Sequence, residues 1–198
     1  MVLVVFGVAL LVLAAAMVVL FAMMGELASR VPGPSTTRRD ATVRALDEAQ
    51  LGSVPSSWPP GLEAGNGNGN GNGSTVLLVL STICATCADI ATQLTENPGH
   101  ADWGELGVVV STSNQGRGND FVARHGLGAF RHFVDTGGDW VSDQFGVRVS
   151  PTALVFTAGR LESAYVFYDV AALRAKIKKE REDRQMQRED SQMQKEPT

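Results

Sequence analysis

Apolar and polar positions divide the chain into regimes of different period. Residues 2–24 are apolar without interruption apart from Gly7. At about 1.5 Å per helical residue such a run crosses a hydrocarbon core of roughly 30 Å. No basic stretch precedes it and no small-x-small cleavage site comes after it, so residues 1–25 are expected to be an uncleaved transmembrane anchor rather than a signal peptide. Residues 26–74 lose the apolar pattern: Pro32, Pro34, Pro55, Pro59 and Pro60 punctuate them, residues 41–50 can form a short helix, and residues 65–73 alternate Gly and Asn. Glycine buries no side chain and loses much entropy on ordering, so this stretch predicts a flexible linker.

A globular pattern runs from residue 75 to 177. Residues 76–80 and 106–110 are continuous apolar runs of buried-strand type. Residues 85–96 have helical spacing, with Cys87, Ile90, Ala91 and Leu94 on one face. A helix is expected over 117–126 with Phe121 and Val122 inward, a strand over 129–134, and a short helix over 138–145. Two strands, 152–156 and 160–168, flank a hairpin at Gly159, and a last helix begins near Asp169 with Val170, Leu173 and Ile177 as its apolar stripe. The order βαβαβαββα predicts an α/β sheet with helices on both faces and an antiparallel final hairpin. Over 178–198 the stripe stops. Pairs such as Lys178 with Glu182 and Glu180 with Arg184 can extend the helix, but a frayed charged tail is the expectation.

Composition narrows the function. The 198 residues carry a net charge of −4, which offers no basic surface for nucleic acid. The two cysteines, Cys84 and Cys87, are too few for a disulfide scaffold or a four-ligand zinc site. His100, His125 and His132 form no second ligand pair at zinc-finger spacing, so no metal is expected. Redox chemistry is left as the leading use of the pair.

The stretch from Ser81 to Cys87 joins the first core strand to the first helix. A C-x-x-C there sets the first sulfur at the positive end of the helix, where unpaired N–H groups stabilise a thiolate. Two intervening residues let the second sulfur close a disulfide. Cys84 is the candidate nucleophile and Cys87 the resolving thiol. Farther on, Ser150 and Pro151 precede a core strand, where a proline fits only its first residues or a bend. With a cis Ser150–Pro151 bond, Pro151 would face the cysteines and Ser150 would offer its backbone to a bound peptide.

Together these features resemble the thioredoxin superfamily, and within it the membrane-anchored TlpA and ResA group. That group has a strand, C-x-x-C, a helix, an inserted strand–helix unit and a cis-proline before the final hairpin. The N-terminal span, linker and S-x-x-C-x-x-C turn also look like the accessory thioredoxin of methylamine dehydrogenase maturation, MauD. The resemblance implies a thioredoxin fold over 75–177 and a thiol–disulfide oxidoreductase whose redox group is the Cys84–Cys87 disulfide, with no other cofactor. Its implied partners are extracytoplasmic protein thiols and disulfides and an electron-transfer partner, with membrane lipid around residues 2–24. Arg30, Arg38, Arg39 and Arg44 come after the span and no basic residue precedes it, so the positive-inside rule argues for a cytoplasmic domain; the resemblance argues for an extracytoplasmic one, which is the expectation here.

The chain departs from the family pattern at several points. Ile83 stands where a Trp usually precedes the first cysteine, no Pro separates the cysteines, the first strand carries no acid, and Asp89 is read as a solvent-facing helix residue. The N-terminal hairpin common in the group is missing, and the Gly/Asn tract takes its place. Two other readings stay open: a redox-inactive adaptor, and a copper-handling chaperone.

Overall fold

The computed structural model describes residues 43–62, 74–96 and 103–193, with Phe6, Gly7 and Met17 besides. The chain divides into a unit of residues 1–41 and one of residues 42–198. In the first, Phe6, Gly7 and Met17 are helical and exposed; the rest of the expected anchor, and the Gly/Asn tract, lie outside the described residues. Among the described residues no helix is long and apolar enough to cross a membrane.

The second unit is built on six strands: β1 (Val43–Ala45), β2 (Ser74–Ser81), β3 (Glu105–Thr112), β4 (Arg131–Thr136), β5 (Thr152–Thr157) and β6 (Arg160–Phe167). Among the described residues four α-helices accompany them: α1 (Ala85–Glu96), α2 (Gln115–Arg124), α3 (Asp139–Phe145) and α4 (Val170–Met193). The sheet order is β1-β6-β5-β2-β3-β4. Strands β2, β3 and β4 are parallel, whereas β5 runs antiparallel to β2, β6 to β5 and β1 to β6. The core β2-α1-β3, then α3-β5-β6-α4, is the thioredoxin fold, with α2 and β4 as the inserted helix and strand.

Central strand β2 is covered on both faces, which is why it reads as an unbroken apolar run. Val76, Leu78 and Leu80 pack beneath α1, α2 and α4, with Ile90, Leu94, Phe121, Leu173 and Ile177. Leu77 and Val79 face the other way, onto Val141 and Phe145 of α3. The starts of α2 and α4 are capped by side chains: Asn114 Oδ1 accepts from Arg117 N at 3.0 Å, and Asp169 Oδ1 from Ala172 N at 2.7 Å.

Two expected boundaries are corrected. The linker assigned to 26–74 contains a folded stretch: Val43–Ala45 pairs with β6 as an edge strand, not a helix, and residues 46–62 form a strap over the α3 face. Leu46, Ala49 and Leu62 are buried in it. Gln50 N donates to Phe145 O at 2.9 Å, and Trp140 Nε1 to Ser57 O at 3.2 Å. Trp58 stacks against Trp140 and Phe156 at 6.1 and 5.3 Å. The socket for Leu62 exists because Gly107 of β3 has no side chain: a Cβ there would lie 2.8 Å from Leu62 Cδ2 and 2.7 Å from Leu77 Cδ2.

The second correction concerns the tail. Helix α4 continues to Met193, and its middle docks through charged groups rather than apolar ones. Arg181 Nη2 donates to Ser74 Oγ and to Trp103 O, both at 2.7 Å. Tyr165 donates to Glu180, and Arg184 pairs with Glu162. Arg174 lies 5.3 Å above the Trp103 ring. The domain therefore extends past residue 177.

Leu62→Ala is expected to destabilise the domain by about 2–5 kcal/mol, the range for emptying a closed apolar socket. Urea unfolding checks it, and a loss under about 0.5 kcal/mol would show that the strap does not stabilise the domain.

Candidate active site

The end of β2 and the start of β5 meet because their antiparallel register pairs Val79 with Thr152. The turn that leaves β2, through Thr82 and Ile83 to Cys84, therefore stands beside the segment that enters β5, Val149 to Pro151. The turn is tied to β3: Thr82 N donates to Ser111 O at 3.1 Å, and Thr82 Oγ1 lies 3.3 Å from Thr112 Oγ1. On the other side, Thr152 Oγ1 donates to Val149 O at 2.7 Å. The Ser150–Pro151 peptide bond is cis.

Cys84 occupies the capping position of α1. Its Sγ accepts from the Cys87 backbone N–H at 3.3 Å, and its carbonyl accepts from Cys87 N and Ala88 N at 3.1 and 3.3 Å. The Cys87 N–H at the start of the helix is thus shared between the carbonyl and the sulfur of Cys84. The Cys84 thiol also lies 3.7 Å from Ser150 O, to which it donates. Both cysteines are free thiols, Cys84 partly exposed and Cys87 buried. Burial, and then the hydrogen bond with Cys84, push the Cys87 thiol up to about 12. The four residues singled out from the sequence, Cys84, Cys87, Ser150 and Pro151, thus converge at one end of the sheet.

The structure adds a groove that the sequence pattern does not predict. About 830 Å³ of space opens beside Cys84, bounded by Ser81, Ile83, Ser111, Ser150 and the α3 side, where Asp139, Ser142 and Asp143 line it. Ile83 is 85% exposed at its rim. The turn into α3 needs Gly138, at φ 74°, because a Cβ there would lie 2.8 Å from Ser111 Oγ. The adjacent Gly137-Gly138 pair between a strand and a helix was the available signal for this wall.

Asp135, at the end of β4, anchors the wall from below. It is only 3% exposed, and its two oxygens accept from Trp140 N at 3.2 Å and Val141 N at 3.1 Å. Burial raises its pKa, the two N–H donors oppose the rise, and the Asp139 and Asp143 charges add to it. Asp89 is exposed, as expected. His125 stacks on Phe121 at 4.5 Å and His132 Nδ1 lies 2.9 Å from Phe130 O; His100 lies outside the described residues. Among the described residues no group of three His, Cys, Asp or Glu side chains could hold a metal ion.

Fold and site define a thioredoxin-fold protein with a C-x-x-C pair at the start of its first core helix and, beside Cys84, the carbonyl of the residue that precedes a cis-proline. No protein-family model and no curated protein matches the chain. Several solved structures are similar. A secreted Mycobacterium tuberculosis disulfide oxidoreductase homologous to E. coli DsbE is 19% identical, with a TM-score of 0.41 over 50% of this chain and 72% of that one. DsbF of M. tuberculosis is 16% identical, with a TM-score of 0.44 over 55% and 78%. StoA from Bacillus subtilis is 16% identical, with a TM-score of 0.43 over 67% and 98%.

A raised carboxyl pKa means that folding favours the protonated acid. Asp135 therefore contributes stability that is present below the usual carboxylate range of about 4 and is lost as pH rises through the raised value. Relative to Asp135→Asn, the wild-type domain should lose ground in urea midpoint between pH 3 and pH 7. A constant difference across that range would contradict the assignment.

Proposed function

We propose that the chain is a thiol–disulfide oxidoreductase that exchanges disulfides with protein substrates through Cys84 and Cys87. The observation that supports it best is the asymmetry of the pair. The Cys84 sulfur is partly exposed in a groove and hydrogen-bonded by the N–H of Cys87, whereas the Cys87 thiol is buried and held protonated. One sulfur is placed to meet a substrate and the other to wait.

In the reducing direction, the Cys84 thiolate attacks one sulfur of a substrate disulfide. A Cys84–substrate S–S bond forms, the substrate's own S–S bond breaks, and the other substrate sulfur leaves as a thiolate. That thiolate takes the Cys87 proton. The Cys87 sulfur then attacks Cys84 Sγ, forming the intramolecular disulfide and expelling the second substrate sulfur, which is protonated from solvent. Two electrons pass from the pair to the substrate, with one proton from Cys87 and one from solvent, and a dithiol partner protein returns the electrons. The same steps in reverse oxidise a substrate dithiol, and the relative reduction potentials set the direction. Because Cys87 stays protonated near neutral pH, it does not compete for the first attack. Ser150 stands beside the point of attack, and its backbone, already within reach of Cys84 Sγ, lines the path of a bound chain.

Residues 2–24 are taken as a single membrane anchor with the catalytic domain outside the cytoplasm, where substrate disulfides form and persist. The redox group is the cysteine pair itself, with no metal or organic cofactor.

Cys87→Ala should trap a mixed disulfide with a cystine-containing peptide, visible as a mass adduct reversed by dithiothreitol, and Cys84→Ala should trap none. An adduct-free Cys87→Ala protein would overturn exchange in favour of a static pair. For topology, a reporter fused after Thr198 should be active only if it functions outside the cytoplasm; activity of a cytoplasmic reporter alone would reverse the placement.

A further inference from the structure

We propose that the groove beside Cys84 selects disulfides flanked by lysine or arginine side chains, so that the substrate is a basic protein segment. The inference rests on the exchange reaction proposed above and names its substrate class.

The two sides of Cys84 differ chemically. Exposed Ile83 and Val149 make one side apolar. The opposite wall is α3, where Asp139 and Asp143 stand one turn apart and both line the groove. Neither carboxylate makes an ion pair among the described residues. Exposed acids on a short helix ordinarily face bulk water and select nothing. Here they share a walled space of about 830 Å³ with the nucleophilic sulfur. Both charges also reach buried Asp135, at the base of the wall. Against the two aspartates the groove lining has one cation, Arg148, which leaves it net negative by one.

A field of this kind raises the encounter rate of complementary segments and disfavours like-charged ones, and salt weakens it. An acidic segment entering the groove would bring its carboxylates against Asp139 and Asp143. A basic one would supply the counter-charges they lack and bring its sulfurs toward Cys84.

The test uses the reduced full-length chain and two disulfide-cyclised peptides that differ only in two lysines or two glutamates flanking the ring. Each second-order rate is divided by that of the neutral thiol mercaptoethanol, which removes the peptides' own reactivity difference. The lysine peptide should then react about fivefold faster or more at low ionic strength, with the gap narrowing as salt is added. Asp139→Asn with Asp143→Asn should bring the two rates together, and Asp143→Lys should shift the preference toward the glutamate peptide. Equal normalised rates in the wild type, or a preference that survives the double substitution, would overturn the inference and leave the exchange reaction standing. Failure of both peptides to react at all would overturn the exchange reaction and the substrate class with it.

Discussion

The antiparallel register of β2 against β5 is the constraint on which the site depends. With Val79 opposite Thr152, the residues that leave β2 and those that enter β5 have to occupy the same edge of the sheet. Neither the cysteine turn nor the Ser150–Pro151 loop makes a site alone. A C-x-x-C at a helix start presents a sulfur to open solvent, and an X-Pro before a strand is a bend. Held side by side, they place the Cys84 sulfur between the N–H of Cys87 and the carbonyl of Ser150. The register is firm because β2 is buried on both faces, and a slip by one residue would exchange Leu78 and Leu80 with Leu77 and Val79 between two differently shaped cores.

That geometry explains how two chemically identical side chains come to differ. Cys84 sits before the first full turn of α1, where its sulfur shares the Cys87 N–H with its own carbonyl. Cys87, three residues on, is turned by the helical period onto the buried face with Ile90, Ala91 and Leu94. Burial disfavours its thiolate, and so does its neighbour. The absent Trp, the absent intervening Pro and the lack of an acid on β2 leave this pair with a plainer environment than its fold allows: a helix end, a carbonyl and an apolar floor.

Much of this was legible in the sequence because strand and helix periods differ sharply. The runs at 76–80 and 106–110, the stripe from Cys87 to Leu94, and the hairpin at Gly159 are patterns that few other structures satisfy. The hidden parts are held by interactions without a period. The strap buries only a few scattered side chains, among them Leu46, Ala49 and Leu62, and the most deeply buried of these, Leu62, fills a space defined by what Gly107 lacks. Strand β1 has three residues, too few to alternate. The middle of α4 docks through Arg181, Glu180 and Arg184, residue types that a hydrophobicity pattern assigns to solvent. The groove was invisible for a related reason: two aspartates four apart resemble any solvated helix face until the chain topology sets them beside Cys84.

The strap and the groove belong to one mechanical unit. Helix α3 has seven residues, too few to hold its shape in isolation. Its hydrogen bonds and contacts come from three directions. Asp135 accepts its first amides, Gly138 lets it close on Ser111, and the strap grips its far side through Ser56 N on Gln144 Oε1 at 2.8 Å, Gln50 N on Phe145 O and Trp58 on Trp140. The carboxylates that line the groove are therefore positioned in part by a segment that precedes β2 and the cysteine turn in sequence. Leu62 adds an anchor on β3 at the end of the strap, buried beside Gly107 and Leu77. A polypeptide that reads as a flexible linker is, over residues 43–62, the support on which one wall of the groove beside Cys84 is built.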